Sequence, residues 1–348
     1  MPEARKIRVL IIDDSALMRQ LLTAIFQEDP AFEVVATAAD PLIARQKIKD
    51  LLPDVLTLDV EMPNMDGITF LEKLMRLRPM PVVMISSLTQ RNADATLRAL
   101  ELGAVDFVTK PVSSMRDHLG ELAHEIRIKV RMAAAARVRV KTTELVTPPK
   151  TKPTCPRIVV GEGVIAIGAS AGGTQAIMEI LRHLPADVPG IAIVQHMPPK
   201  FTAMFADHLN RCCALDVREA TDGEKLLPGM ARVAPGGMQM ALVRENGGYV
   251  LGVTDGPAVN LHRPSVDVLF NSIAKMTATK TLGVLLTGMG SDGAQGLKAM
   301  HAAGALTLAQ DEASSVIFGM PDQAIRLGAA REVLALECIA GRILQWRA

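Results

Sequence analysis

The sequence predicts two α/β units, each an open, doubly wound parallel sheet, joined by a basic, proline-containing connector. Three observations predict this. The chain has 348 residues, more than one core usually holds at about 150 residues per domain. Short β-branched runs alternate with segments of helical period, the pattern of parallel sheets covered on both faces. Charge is uneven along the chain. Residues 1–125 carry 14 basic and 19 acidic side chains, 126–160 carry 9 and 1, and 161–348 carry 15 and 17.

In the first block, 7–12 is a β-branched apolar run and reads as a buried strand. Residues 15–27 have helical spacing through Leu17, Leu21, Leu22 and Ile25, with Ser15 placed to cap. The alternation continues with strands over 33–38, 55–58, 82–85 and 106–108 and helices over 41–51, 68–77, 92–102 and 113–130. Five strands result. Residues 131–160 break the pattern with an alanine run, scattered basic residues and Pro148, Pro149, Pro153 and Pro156, the composition of a linker. The second block opens with a strand over 164–167, a glycine-rich turn and a helix over 173–181. Further apolar strands follow over 191–194 and 282–286. Domain bounds are therefore set at 5–127, 128–158 and 159–348.

Composition excludes several classes. Apolar residues are 49% and charged residues 22%, so the chain is not disordered. Aromatics are 3%, too few for a base-stacking single-strand binder. A net charge of +1 excludes a histone-like chain. The mildly acidic second block has no helix-turn-helix with a basic recognition helix, so no nucleic-acid partner is expected. Cys155, Cys212, Cys213 and Cys338 form neither a disulfide framework nor a CxxC zinc pair. No run approaches the ~20 apolar residues of a membrane span, and the N-terminal apolar run is too short for a signal segment. The expectation is a cytoplasmic protein not embedded in membrane.

Two constellations carry chemistry. Asp13 and Asp14 follow the first strand, Asp59 ends the third, Ser86 and Ser87 end the fourth, and Lys110 ends the fifth. All these strand ends share one sheet edge, where ligands bind. Three carboxylates there make a hard-oxygen site suited to Mg²⁺. A hydroxyl and an ammonium beside them suit a phosphoryl group on the central acid. In the second block, Gly168-Ala-Ser170-Ala-Gly172 follows a strand and precedes a helix, the context in which G-x-S-x-G presents a nucleophile. A serine needs a base and the base an orienter. His196, directly after a strand in VQHMPP, is held best. His118, His124, His183 and His208 fall in helix-like surface patterns, while His262 and His301 stay open. Asp292 in LLTGMGSDGA is the acid candidate, with Asp311 and Asp267 behind it. The order Ser…His…Asp differs from that of α/β-hydrolases.

These residues carry two family resemblances. The DD at 13–14, LDVEMPNMDG at 58–67, ISS at 85–87 and DFVTKP at 106–111 resemble the flavodoxin-like receiver domain of response regulators. The resemblance implies Asp59 as phosphoacceptor, Asp13, Asp14 and Asp59 around Mg²⁺, Lys110 on the phosphate, Ser86 as switch hydroxyl and Phe107 at the switch aromatic position. IGASAGGTQA, VQHMPPKFT, RPSVDVLF, TGMGSDGAQG and AQDEASSVIFGMPDQA resemble the catalytic domain of the CheB family of chemotaxis protein-glutamate methylesterases. This implies Ser170 as nucleophile, His196 as base, Asp292 as orienting acid, and backbone N–H groups of Ala171 and Met289 at the oxyanion. It further implies hydrolysis of glutamyl methyl esters on cytoplasmic chemoreceptor helices with methanol released, deamidation of receptor glutamines, a chemotaxis histidine kinase as phosphodonor, and no cofactor for the esterase step. Two positions depart from the family pattern. Ala171 replaces the usual threonine after the nucleophile, and Gln239 stands where a histidine often follows APG. A response regulator with a DNA- or protein-binding output, and a small-molecule esterase, are the rival readings. The first leaves Ser170, His196 and Asp292 unexplained, and the fused receiver argues against the second.

Overall fold

The computed structural model describes residues 5–62, 65–86, 90–110, 119–138, 163–245, 248–276 and 281–346. Ser87, the expected helix start at Ser113, His118 and the connector from 139 to 158 lie outside the described residues. The chain divides into two compact units, Met1–Thr143 and Glu144–Ala348.

The first unit holds strands β1 (Ile7–Ile12), β2 (Phe32–Ala38), β3 (Val55–Asp59), β4 (Val82–Ser86) and β5 (Asp106–Thr109). They form one sheet in the order β2-β1-β3-β4-β5, parallel at every pairing. Strands β3 and β4 are buried along their whole length, which is why they read as unbroken apolar runs rather than as alternation. Helices α1 (Ala16–Gln27), α2 (Pro41–Leu51), α3 (Gly67–Leu77), α4 (Gln90–Leu102) and α5 (Leu119–Ala134) connect and flank them. The starts of α1, α2 and α3 follow capping chemistry. Ser15 Oγ accepts from Met18 N, Asp40 accepts from Leu42 N and Ile43 N ahead of Pro41, and Asp66 accepts from Thr69 N; each satisfies orphan helix donors. Helix α5 continues past 127 to Ala134, because its alanine-rich end has high helix propensity.

The second unit holds β6 (Val164–Ala169), β7 (Gly190–Gln195), β8 (Asp216–Glu219) and β9 (Met230–Val233), then the pair β10 (Gln239–Glu245) and β11 (Gly248–Thr254). After these come β12 (Thr281–Leu285), β13 (Leu306–Gln310) and β14 (Glu332–Leu334). Seven strands form a parallel sheet ordered β14-β13-β12-β6-β7-β9-β8. The exception is the antiparallel hairpin β10–β11, which the expectation of a purely parallel unit did not include. Helices α6 (Gly173–Arg182), α7 (Phe201–Cys212), α8 (Val266–Ala274) and α9 (Ala294–Ala302) pack around these sheets. The core runs through Val164, Val194, Phe270, Leu285 and Met300, all buried.

Both sheets change direction at their middle. In the first, β1 lies between β2 and β3. In the second, the chain leaves β6 toward β7, β9 and β8 and returns on the other side with β12, β13 and β14. The crevice at the carboxyl ends of the strands flanking such a switch is where open α/β sheets bind ligands. Gly168, near the end of β6, fixes one wall of the second crevice. A Cβ there would lie 2.2 Å from Val266 Cγ1, so only glycine lets the first turn of α8 dock against β6. Gly168→Ala is expected to lower stability by about 1–3 kcal/mol, the usual cost of overpacking; the urea midpoint of the catalytic unit measures it.

Candidate active site and phosphoacceptor site

Ser170 follows the last residue of β6 and His196 the last residue of β7. These strands pair with Ala169 opposite Gln195, so Ser170 and His196 start their turns side by side, roughly one strand spacing of ~4.8 Å apart. The main chain locks the two turns together. His196 N donates to Ala169 O at 3.1 Å. The buried Gln195 amide donates to Ser170 O at 2.9 Å and to His196 O at 3.2 Å. Ser170 N donates to Thr287 O just past β12 at 3.0 Å, and Thr287 Oγ1 donates to Ala171 O at 3.0 Å. The turn that bears Ser170 is therefore fastened to both neighbouring strands.

Asp292 sits in the turn before α9 and is 1% exposed. Its Oδ2 lies 2.8 Å from His196 Nε2 and accepts from Val266 N at 2.7 Å. Its Oδ1 accepts from Ser265 Oγ at 2.7 Å and from Asn260 Nδ2 at 2.8 Å. Burial would raise the Asp292 pKa, but the hydrogen bond and charge of His196, with the bonds from Asn260 and Ser265, hold its carboxyl well below the usual range. The carboxylate stays ionised and fixes the ring. His196 is nearly buried, and its Nδ1 has no hydrogen-bond partner among the described residues. The free nitrogen is thus Nδ1, so the ring is turned end for end relative to the triads in which Nε2 serves as the base. The N–H groups of Ala171 and Met289 donate to no acceptor among the described residues, whereas that of Ser170 is already committed.

Four more residues join this site: Asn260, Asp267, His262 and Gln239. Asn260 Nδ2 bridges Asp292 Oδ1 and Asp267 Oδ2, each at 2.8 Å. Asp267, raised by burial, also accepts from Gly296 N at 2.6 Å. The His262 ring stacks on His196 with centroids 3.7 Å apart and planes 12° from parallel. Burial and the neighbouring His196 push the His262 imidazole down to about 4, against the pull of Asp292. Gln239 is buried and braces this segment: it donates to Pro257 O and His262 O and accepts from Ser265 N. Its departure from the family histidine therefore bears on the support of the loop. Ala171 is 4% exposed, with its carbonyl held by Thr287. The alternative acid Asp311 caps the 314–315 turn instead, and His301 bonds to Thr307.

In the first unit, Asp13, Asp14 and Asp59 offer carboxylate oxygens within 4.8 Å of one another, two of the residues buried and one exposed. Lys110 Nζ lies 2.7 Å from Asp59 Oδ2 and 3.0 Å from Asp13 Oδ2. Burial pushes the Asp59 carboxyl up to about 6, against the pull of Lys110. Burial opposes the Lys110 charge, yet Asp59 and Asp13 together raise its pKa. An all-carboxylate set with one exposed member fits a hard divalent cation that keeps part of its water. The buried Ser86 hydroxyl is 2.9 Å from Thr96 Oγ1 of α4, which donates to it. Phe107 is 3% exposed, with Lys129 Nζ 5.2 Å from its ring centroid and donating to its carbonyl.

A family model described as "CheB methylesterase" matches residues 165–343, and one described as "Response regulator receiver domain" matches 9–120. The chain belongs to the CheB methylesterase family. A CheB-family relative from Salmonella typhimurium, named protein-glutamate methylesterase/protein-glutamine glutaminase, is 54% identical over 97% of this chain and 96% of its own. One of the same name from Pectobacterium atrosepticum is 55% identical over the same shares. The solved catalytic domain of the Thermotoga maritima CheB methylesterase covers 53% of this chain and 99% of its own, at 36% identity and a TM-score of 0.52. Ser170, His196, Asp292 and the Asn260–His262 turn all fall inside the CheB match, and Asp13, Asp14, Asp59, Ser86 and Lys110 inside the receiver match.

The depressed His262 pKa has a thermodynamic consequence. Between about pH 6.5 and 4 the unfolded chain binds a proton that folded His262 refuses. Its contribution to stability is full above 6.5 and is lost as the pH falls toward 4, on the order of 2–3 kcal/mol. Urea midpoints across this window should fall for the wild type and fall less for His262→Phe.

Proposed function

We propose that this chain is a phosphorylation-gated serine esterase that removes glutamyl methyl esters from chemoreceptors and deamidates receptor glutamines. One observation carries the reading. His196 is held by an ionised, buried Asp292 through Nε2 and keeps Nδ1 unpartnered beside the turn that bears Ser170. His196 Nδ1 takes the Ser170 proton as Oγ attacks the ester carbonyl. The oxyanion is met by the N–H groups of Ala171 and Met289, and donors aimed at developing charge are the largest single contribution in such reactions. The imidazolium, stabilised by Asp292, gives the proton to the departing methoxide, and methanol leaves. Water activated by the same nitrogen then frees the glutamate. With a glutamine substrate the leaving group is ammonia. The neutral His262 ring lies flat on His196 and keeps that face of the ring from water.

In the receiver unit, Asp59 accepts the phosphoryl group from a chemotaxis histidine kinase. Asp13, Asp14 and Asp59 would hold Mg²⁺, which neutralises phosphoryl charge when bound, and Lys110 sits where it can do the same. Ser86 leaves Thr96 to meet the phosphate, and this biases the unit between two states. The partners are the cytoplasmic methylated helices of chemoreceptors, and among the described residues no helix is long and apolar enough to cross a membrane.

Ser170→Ala should abolish methanol release from methylated receptors, by orders of magnitude, with unchanged circular dichroism. His196→Gln should be nearly as severe, and Asp292→Asn somewhat less so, because the acid acts through the ring. A folded Ser170→Ala variant with wild-type release would overturn the assignment. Asp59→Asn should take up no label from a small phosphodonor, and chelation should mimic it. If the receiver restrains the catalytic unit, a 155–348 fragment is more active on purified methylated receptor than the unphosphorylated whole chain. Equal activities would mean that the receiver only recruits.

A further inference from the structure

Val259 and His262 close a two-residue turn, with Val259 N donating to His262 O at 3.0 Å and His262 N to Val259 O at 2.8 Å. Both central residues are left-handed, Asn260 at φ 52° and Leu261 at φ 68°. Such turns strongly favour Asn-Gly. Asparagine has a local reason to be here, since its amide bridges Asp292 and Asp267. Leucine has none. It carries the Cβ cost of a left-handed backbone, and it is 94% exposed, the highest value among the exposed large hydrophobics of the described residues. Strain combined with exposure persists where function over-determines it. The neighbours on either side touch the triad directly, Asn260 through Asp292 and His262 through the ring of His196, so the exposed Leu261 side chain stands beside the triad.

We infer that Leu261 is a substrate-binding contact that receives an apolar side chain displayed about one helical turn from the reacting glutamyl on the receptor helix. The inference rests on the esterase reading above. On a helix, residues three or four apart share a face and lie ~5–6 Å apart, so one helix face can present an ester to Ser170 and an apolar neighbour to Leu261. Such a contact removes water from both side chains only when substrate is bound. It therefore acts on substrate affinity and not on the chemical step.

The test is methanol release by the phosphorylated full-length chain over a range of methylated receptor concentrations, for wild type, Leu261→Gly, Leu261→Ala and Leu261→Met. Leu261→Gly relieves the backbone and removes the contact. It should raise KM about tenfold, the scale of partial burial of one leucine, with kcat within about twofold and a melting temperature no lower than wild type. Leu261→Ala should raise KM similarly, and Leu261→Met should restore it. Wild-type KM in Leu261→Gly and Leu261→Ala overturns the inference. So does a fall in kcat at constant KM, which would make the turn only a support of the triad. Raised activity of the unphosphorylated Leu261→Gly chain would assign the side chain to the receiver and also overturn it. No methanol from the wild type would instead overturn the esterase reading itself.

Discussion

Asp292 is a charge taken almost wholly out of water, and an isolated carboxylate there would cost several kcal/mol. The catalytic unit is arranged around removing that cost. Donors reach Asp292 from the end of β7 through His196, from the Asn260 turn, and from Ser265 and Val266 at the start of α8. These segments are distant in sequence, and each is where it is because the carboxylate must be saturated. Gly168 lets α8 approach closely enough to donate. Gln239 then holds the chain between the turn and α8 by three main-chain bonds. The ionised acid in turn decides which imidazole nitrogen is left for the nucleophile. Removing the carboxylate would unsettle the base and also the wall of the crevice.

The receiver unit resolves the opposite problem. Asp13 and Asp59 are like charges brought together at a sheet edge, and Lys110 is their common counter-ion. The raised Asp59 pKa records its burial first, with the Asp13 charge adding to it, against the pull of the one ammonium. Such an arrangement gains from added positive charge, which is why the acids suit a divalent cation. Around it, the switch groups are tied in one position: Ser86 to Thr96, and Phe107 beneath Lys129. Lys129 is also paired with Asp106 and Glu125, so the aromatic is held by an ion cluster linking β5 and α5.

The strand–helix alternation of the first unit was legible because its buried strands are β-branched runs and α1, α2 and α3 start at capping side chains. Its helix ends were less so, since the alanine run beyond 127 reads equally as linker and as helix. In the second unit β6, β7 and β12 were legible, but β8, β9, β13 and β14 were not. Apart from β13, these are three or four residues long and polar in part, DVRE and EVL among them, and a sheet edge needs little apolar pattern. The hairpin β10–β11 was hidden because GG at 247–248 follows a charged stretch that reads as loop. At the site, Ser170, His196 and Asp292 stood out because each ends a strand or opens a helix. Asn260, His262, Gln195 and Thr287 did not. Their contributions are hydrogen bonds and a ring stack to partners as far as 116 positions away, and no local pattern encodes such partners. The left-handed pair at 260–261 is the nearest to a signal, and Leu261 conceals it by occupying a glycine's position.

The two units solve different chemical problems with one geometric device. In each, the oxygen proposed to react stands at the carboxyl end of a strand beside the point where the strand order reverses. There parallel strands deliver turns side by side while the helices diverge to leave space. Under the proposed function, Asp59 needs that space for a phosphoryl group and Ser170 for an ester. What differs is the second layer. Around Asp59 it is charge: two acids, an ammonium and an ion cluster, all responsive to an added anion. Around Ser170 it is saturated hydrogen bonding and stacked rings, which hold a base at fixed orientation. A switch must be able to choose between arrangements, and a catalytic triad must not.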